Sequence, residues 1–183
     1  MRLFRGIVLV VALVAVVSDA DARGFDDDSP IRQGRYSFSG GGGFSQESFS
    51  LAAGVGYFVM DGLMPGVRYR YTRFNDSQID DHASLHDLNV YVRYYFDVAE
   101  GLYPFLIADV GYLKMLEWGT QVESRMAEMF SVMGGAGLAY YLSAHFYVDV
   151  VAGMRHYVDP PTWSYLHTEP SQFEWGIGFG AAF

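Results

Sequence analysis

The sequence predicts an all-β protein, an eight-stranded antiparallel up-and-down β-barrel that crosses a membrane. Three observations predict this fold. Eight segments alternate apolar and polar side chains with period two, the repeat of a strand with two different faces. Each segment is about ten residues long, the length that a tilted strand needs to cross a bilayer. The connections between the segments alternate between compact turns and longer polar loops.

Composition narrows the class of protein. The 183 residues suit one domain, and 51% of them are hydrophobic, which argues against a disordered chain. Aromatic residues are dense (3 Trp, 14 Tyr and 14 Phe), and only 18% of residues are charged. The net charge of -9 argues against non-specific binding of nucleic acid. The absence of Cys excludes a disulfide scaffold, a zinc ribbon and a thiol nucleophile.

The first residues have the pattern of a signal peptide. Arg2 and Arg5 precede a continuous apolar run over residues 6–17, and Ala20 and Ala22 supply the small residues that a signal peptidase requires. The run is too short to span a bilayer as a helix, so we expect cleavage rather than an anchor. The expected organisation is a signal peptide over residues 1–22, an acidic and solvated linker over residues 23–33, and a barrel over residues 34–183.

Each predicted strand presents one apolar face. In chain order, these faces consist of Tyr36, Phe38 and Phe44; Leu51, Ala53, Val55 and Tyr57; Val67, Tyr69 and Tyr71; Leu88, Val90, Val92, Tyr94 and Phe96; Leu106, Ala108, Val110 and Tyr112; Phe130, Val132, Ala136, Leu138 and Tyr140; Phe146, Val148, Val150, Ala152 and Met154; and the odd positions from Phe173 to Phe183. Aromatic residues concentrate towards the strand ends, as in the interfacial girdles of membrane barrels. We therefore expect these faces to meet lipid.

The connections supply a second signal. Those after the second, fourth and sixth strands are compact, at residues 60–65, 97–101 and 143–144. Those after the third, fifth and seventh are longer and polar, at residues 75–84, 117–127 and 159–171, whereas the first hairpin, near residues 45–48, is short. Residues 121–129 are the one helix-like stretch, and we expect no helix there. Short turns on one side and long loops on the other are typical of outer-membrane barrels.

The faces opposite the apolar ones carry balanced charge. Four cations and four carboxylates lie there: Arg68, Arg70, Arg93 and Arg155 with Asp87, Asp109, Asp149 and Glu174. An unpaired charge in a low-dielectric interior costs several kcal/mol, so these groups must pair or be hydrated. We therefore expect an Arg–carboxylate network inside the barrel, where Gly and Ser leave room for long side chains. An eight-stranded barrel holds side chains rather than an open channel.

Several segments resemble the small outer-membrane β-barrel superfamily, which includes the transmembrane domain of outer membrane protein A and its short, barrel-only relatives. They are VRYRY (67–71), YVRYYF (91–96), YPFLIADVGY (103–112), GGAGLAYYL (134–142) and the terminal GIGFGAAF. The resemblance covers residues 34–183 and implies a location in the outer membrane of a Gram-negative bacterium. Full-length outer membrane protein A carries a peptidoglycan-binding domain after its barrel, whereas here we expect none and therefore no cell-wall tether.

The end of the chain resembles the C-terminal assembly signal of that superfamily. The residues concerned are Trp175, Ile177, Gly178, Phe179, Ala181 and the terminal Phe183. By this resemblance, the barrel-assembly machinery would recognise the last strand during insertion. The same resemblance implies contact with outer-membrane lipid and lipopolysaccharide.

The sequence offers weak evidence for catalysis. Lipid A deacylases of similar architecture carry a His-x-Ser-Asn run, but here Val158 stands where the serine would follow His156. Without that hydroxyl we expect no Ser–His pair, although Glu169 and Glu174 follow, and so no enzymatic activity and no catalytic residue. We also expect no cofactor: the glycine run at residues 40–43 lacks the Lys-Ser/Thr and the helix of a phosphate-binding loop.

Two loops remain as candidate contacts. The acidic segment 76–82, with His86 nearby, could offer oxygen ligands to a divalent cation, but it lacks the spacing of a calcium loop, and we expect a solvated loop with no metal. The loop around Trp163 and Tyr165 is the best candidate for contact with an extracellular partner, or for a cap on the barrel.

The sequence thus favours a barrel that stabilises the envelope or presents loops for adhesion. A lipid A-modifying barrel enzyme and a narrow, low-conductance pore remain alternatives. A secreted lipocalin-like barrel, with its apolar residues inside and its polar residues outside, is a further alternative.

Overall fold

The computed structural model describes residues 29–44, 48–75, 82–118, 125–160 and 170–183. These residues form eight strands: β1 (Tyr36–Phe44), β2 (Ser48–Tyr57), β3 (Leu63–Asn75), β4 (His82–Tyr95), β5 (Leu102–Trp118), β6 (Arg125–Tyr141), β7 (Phe146–Val158) and β8 (Ser171–Ala182). Each strand pairs antiparallel with the next, and β1 pairs with β8 to close the barrel. The predicted eight-stranded antiparallel up-and-down barrel is confirmed. Closure leaves no unpaired sheet edge.

Some strands are longer than the sequence predicts. Both β5 and β6 contain 17 residues, against the expected ten or so. The predicted loops at 75–84 and 117–127 are therefore partly wrong, because β3 to β6 extend into them. The helix-like stretch is strand from Arg125 onward. Period two shows which face a residue occupies, but it does not show where pairing stops.

The connections lie at two ends of the barrel. The turn end carries Ile31, Phe183 and the connections at residues 58–62, 96–101 and 142–145. The opposite ends of the strands form the loop end, and residues 45–47, 76–81, 119–124 and 159–170 follow these strand ends in the sequence. Gly62 and Gly101 have φ angles of 75° and 74°, in the left-handed region that favours glycine, and so allow the chain to reverse tightly. The predicted difference in loop length is clear only for the connection between β7 and β8.

The interior is divided into layers. A cluster of buried apolar and aromatic side chains fills the turn-end half, including Phe58, Tyr95, Phe105, Tyr141 and Tyr147. A second cluster lies towards the loop end and consists of Leu85, Leu113, Met115, Met129 and Tyr157. The charged side chains inside the barrel lie between the two clusters. The lumen is therefore packed with side chains, as expected for eight strands.

The segment before β1 is part of this packing. Ile31 is fully buried in the turn-end cluster, and its carbonyl accepts a hydrogen bond from the Gly62 amide at 2.8 Å. The Gln33 amide donates to the Asp61 carboxylate at 2.7 Å. The prediction of a solvated linker up to residue 33 is therefore wrong for Ile31, which closes the turn-end mouth of the barrel. Residues 1–28 lie outside the described part of the chain.

The outer surface is apolar along every strand. Exposed side chains include Phe38, Leu51, Val67, Leu88, Val90, Val110, Leu138, Val150, Ile177 and Phe179. Their neighbours along the chain point inward, as the alternating burial pattern of β7 illustrates. Within the described residues, no helix is long and apolar enough to cross a bilayer.

Candidate functional site

The candidate site is the group of charged side chains inside the barrel. All eight side chains that the sequence assigns to an interior network point into the lumen from β3, β4, β5, β7 and β8, and all of them take part in ion pairs. Strand alternation places each of them opposite an outward apolar neighbour. Four cations meet four carboxylates, so the network is electrically balanced.

Arg155, on β7, lies at the centre of the network and is fully buried. Its two terminal nitrogens donate to the two oxygens of Asp109 at 3.1 Å each, an arrangement that matches the planar guanidinium to the carboxylate. Its Nε donates to Glu174 at 3.1 Å, and Nη1 also donates to Ser131 at 2.7 Å. One side chain therefore links strands β5, β6, β7 and β8.

Two arginines on β3 extend the network. Arg70 donates to Asp87 at 2.9 Å and to Glu174 at 2.6 Å, and so links β3 to β4 and β8. Arg68 donates to Asp109 on β5 at 2.6 Å, past the intervening strand β4. Because Asp109 and Glu174 each accept from two arginines, charge removed at one position affects several pairs.

A second pair lies nearer the turn end. Arg93 donates to Asp149 at 2.6 Å, and both side chains are buried. The Arg93 guanidinium lies over the Phe105 ring at 4.7 Å and over the Tyr91 ring at 5.7 Å. It also donates to the Tyr95 hydroxyl at 3.2 Å. This pair joins the ion network to the turn-end cluster, to which these three aromatic residues belong.

Glycine makes one wall of the lumen thin. Gly41, Gly43, Gly176 and Gly178 on β1 and β8 line a cavity of about 90 Å³ that Arg68, Arg70 and Arg93 also line. A Cβ at Gly41 would lie 2.6 Å from the Ile177 carbonyl oxygen. The cavity therefore exists because this wall carries almost no side chains, as the sequence predicts for an interior with long arginines.

Several polar atoms facing this interior have no hydrogen-bond partner among the residues that the structure describes. They include Nε of Arg68, Arg70 and Arg93, Oγ1 of Thr72, Oδ1 of Asp87 and Nδ2 of Asn89. Buried polar groups of this kind require water. Both donors and acceptors are present, so the arrangement suits hydration of the interior.

The C-terminal residues are arranged on β8 and beyond. Trp175, Ile177, Phe179 and Phe183 are exposed on the outer surface. Gly178 faces inward, where an added Cβ would collide with Asp149, and Ala181 is half-buried. The backbone of Phe183 exchanges two hydrogen bonds with Tyr36, which fastens the end of the chain to β1. Recognition of these residues by the assembly machinery stays a prediction.

One contact differs from the expectation about His156. Its Nδ1 lies 2.9 Å from the hydroxyl oxygen of Ser171, on the outer surface near the loop end. The expectation of no Ser–His pair is therefore wrong, because Ser171 is the direct partner of His156 across β7 and β8. Sequence spacing could not show this pair, since it depends on strand register.

The remaining candidates lie partly or wholly outside the described residues. These are Trp163 and Tyr165 in the last loop, and residues 76–81 of the acidic segment. His86 is described and contacts the Tyr69 hydroxyl through Nδ1 at 2.6 Å. In the described residues, no group of three or more His, Asp or Glu side chains is placed to hold a metal ion.

Solved structures of outer-membrane barrels share this architecture. The N-terminal β-barrel domain of Pseudomonas aeruginosa OprF superposes with a TM-score of 0.63 at 19% identity, covering 82% of this chain and 98% of that domain. This chain has the fold of the small outer-membrane barrels. OprG of P. aeruginosa (TM-score 0.58, 13% identity, 86% and 99% coverage) and Ail, the attachment invasion locus protein of Yersinia pestis (0.52, 18%, 82% and 99%), are also similar. The resemblance inferred from the sequence is thereby confirmed at the level of fold.

No family model and no curated protein sequence matches the chain.

Proposed function

We propose that the protein is an integral outer-membrane barrel whose role is to stabilise the envelope or to present its loop end to partners outside the cell. The observation that carries this proposal is the division of every strand into an apolar outer face and an inner face, with a buried ion network inside the barrel that is formed by side chains of β3, β4, β5, β7 and β8. So much apolar surface on a barrel exterior is stable in lipid but not in water.

The exposed apolar side chains of the strands form a band around the barrel, hereafter the apolar belt, and its height supports a location in a membrane. On β5 it runs from Leu102 to Tyr112, about 33 Å along the strand at roughly 3.3 Å per residue. A strand tilted by about 40° covers about 25 Å along the barrel axis over that length, which matches the lipid-facing band of outer-membrane barrels. A lipocalin-like barrel would have the opposite arrangement, with an apolar lumen and a polar exterior.

The packed lumen favours a structural role over transport. The turn-end cluster, which includes Ile31, fills one half of the lumen, and the ion pairs fill its middle. The cavity of about 90 Å³ has room for a few water molecules. In this proposal, the barrel-assembly machinery recognises the C-terminal strand and lipopolysaccharide surrounds the loop end. An extracellular partner would meet the loops.

The experiment is cell fractionation followed by gel electrophoresis of boiled and unboiled samples. We expect recovery in the outer membrane and a mobility shift on boiling, because a closed barrel resists detergent until it is heated. Recovery as a soluble periplasmic protein would contradict the proposal.

A lipid A-modifying hydrolase is the second candidate, because His156 and Ser171 form a hydrogen-bonded pair beside the lipid-facing surface. A hydroxyl within reach of an imidazole is the minimum for a serine nucleophile. Mass spectrometry of lipid A from cells that produce the wild type or Ser171→Ala tests this. Acyl-chain loss that depends on Ser171 would favour the hydrolase, and identical spectra would exclude it.

A further inference from the structure

We propose that the outer surface of β3, β4 and β5 at the loop end binds the phosphate groups of an anionic glycolipid of the lipid A type. The site consists of Arg73, His86 and Lys114, hereafter the basic row. This inference rests on the proposed function, since it requires the loop end to lie in the lipid leaflet that faces outward.

The charges of the outer surface are confined to this region. Among the outward side chains that the structure describes on the eight strands, three are charged: Arg73, Lys114 and Glu128. All three lie near the loop end, on β3, β5 and β6. Arg73 and Lys114 are exposed, and neither forms an ion pair with another described residue. The rest of the described outer surface of the strands is uncharged and mostly apolar.

Strand register brings the basic row together. His86 pairs directly with Tyr71 on β3 and with Lys114 on β5. Arg73 lies two residues beyond Tyr71 on the same face, diagonal to His86. Neighbouring strands are about 4.8 Å apart, so the three basic side chains span about 10 Å across the sheet. Side chains as long as Arg and Lys can converge on one phosphate group over that distance.

His86 is held in position by its neighbour. The Tyr69 hydroxyl lies 2.6 Å from Nδ1, and the Tyr71 ring packs edge-on at 5.3 Å. With Nδ1 engaged, Nε2 is the ring nitrogen that can donate to a ligand. The row therefore offers a guanidinium, an ammonium and an imidazole N–H, which together suit the charge and the acceptor oxygens of a phosphate.

The basic row lies where the headgroups of lipids would be. The residues just below it on the same strands are exposed Tyr69, Leu88 and Tyr112, which belong to the apolar belt. A cation one step above the belt can keep its charge at the interface while its stem covers apolar surface. The favoured ligand is therefore anchored in the membrane beside the barrel. In the register of β5 and β6, Glu128 lies opposite Lys114, and it marks the edge of the basic row on that side.

The test is titration of the refolded protein, in zwitterionic micelles, with bisphosphorylated lipid A and with the same glycolipid after dephosphorylation. We expect the phosphorylated form to bind at least about tenfold more tightly. The double variant Arg73→Gln/Lys114→Gln should lose that preference. Glu128→Gln removes a repulsive carboxylate and should tighten binding by about two- to threefold.

The matched control is Arg35→Gln, which removes the same charge at the turn end, where Arg35 donates to the Ala144 carbonyl. Binding by this variant should equal that of the wild type. Equal affinity for both glycolipids, or equal loss in the control and the double variant, would overturn the site while leaving the membrane barrel intact. A wild-type protein that shows no boiling-dependent shift and no insertion into vesicles would overturn the proposed function and the site with it.

Discussion

The buried pair of Arg93 and Asp149 gives the sharpest prediction about stability. The two side chains meet at 2.6 Å and both are almost fully buried. At an effective dielectric constant of about 20, unit charges at that distance attract by about 6 kcal/mol, much of which offsets the cost of removing them from water. Replacing one partner leaves the other charge buried and unpaired. Asp149→Asn or Arg93→Met should therefore each lower the free energy of unfolding by about 3–5 kcal/mol.

The double variant distinguishes the interaction between Arg93 and Asp149 from the contacts that each side chain makes with other residues. Removing both charges restores neutrality, so Arg93→Met/Asp149→Asn should cost at least about 2 kcal/mol less than the sum of the single variants. The assay is urea unfolding in micelles, followed by the loss of the unboiled gel band and by tryptophan fluorescence. Single variants that cost less than about 1 kcal/mol, or costs that simply add, would refute the reasoning. They would mean that the lumen is hydrated enough to screen the pair.

The other predictions concern Ile31, the glycine wall, the lipid-facing surface and the chain end. Ile31→Ala should destabilise the folded barrel by about 2–4 kcal/mol in the same urea assay, because Ile31 is fully buried. Gly41→Ala should destabilise by about 1–3 kcal/mol, because its Cβ would meet the backbone at 2.6 Å, whereas Gly134→Ala, with no atom within 4 Å of the new Cβ, should behave as wild type. Val90→Arg should weaken folding into vesicles by about 2–4 kcal/mol, since Val90 is 63% exposed in the apolar belt. Phe183→Ala should slow assembly in cells, measured as the unboiled band in a pulse-chase, but not refolding in micelles.

The sequence predicts the strands, their two faces and the members of the ion network, because each of these is a local property of alternation. Which arginine meets which carboxylate depends on register and on reach across the lumen. Arg155 lies at the centre of the network only because β5, β6 and β8 bring Asp109, Ser131 and Glu174 within hydrogen-bonding distance of it. No spacing along the chain contains that information.

Two features were missed for the same physical reason. Ile31 lies in a polar, acidic segment, and its burial depends on the turn-end cluster, whose other members come from strands and turns far along the chain. The contact between His156 and Ser171 arises from the pairing of β7 with β8. A large apolar residue within an otherwise polar linker was the one available signal, and Ile31 shares it with Phe25.

The central claim is that the apolar faces of the strands meet lipid and the charged faces line the lumen. The chain contains no Cys, so single cysteines can be introduced at the adjacent positions Val150 and Val151 and spin-labelled in vesicles. Val150 is exposed on the outer surface, whereas Val151 packs against the buried cluster. We predict that the label at Val150 collides with oxygen dissolved in the bilayer and is protected from a water-soluble nickel complex, and that the label at Val151 shows no such lipid signature. Ready access of the nickel complex to the label at Val150 would contradict the account.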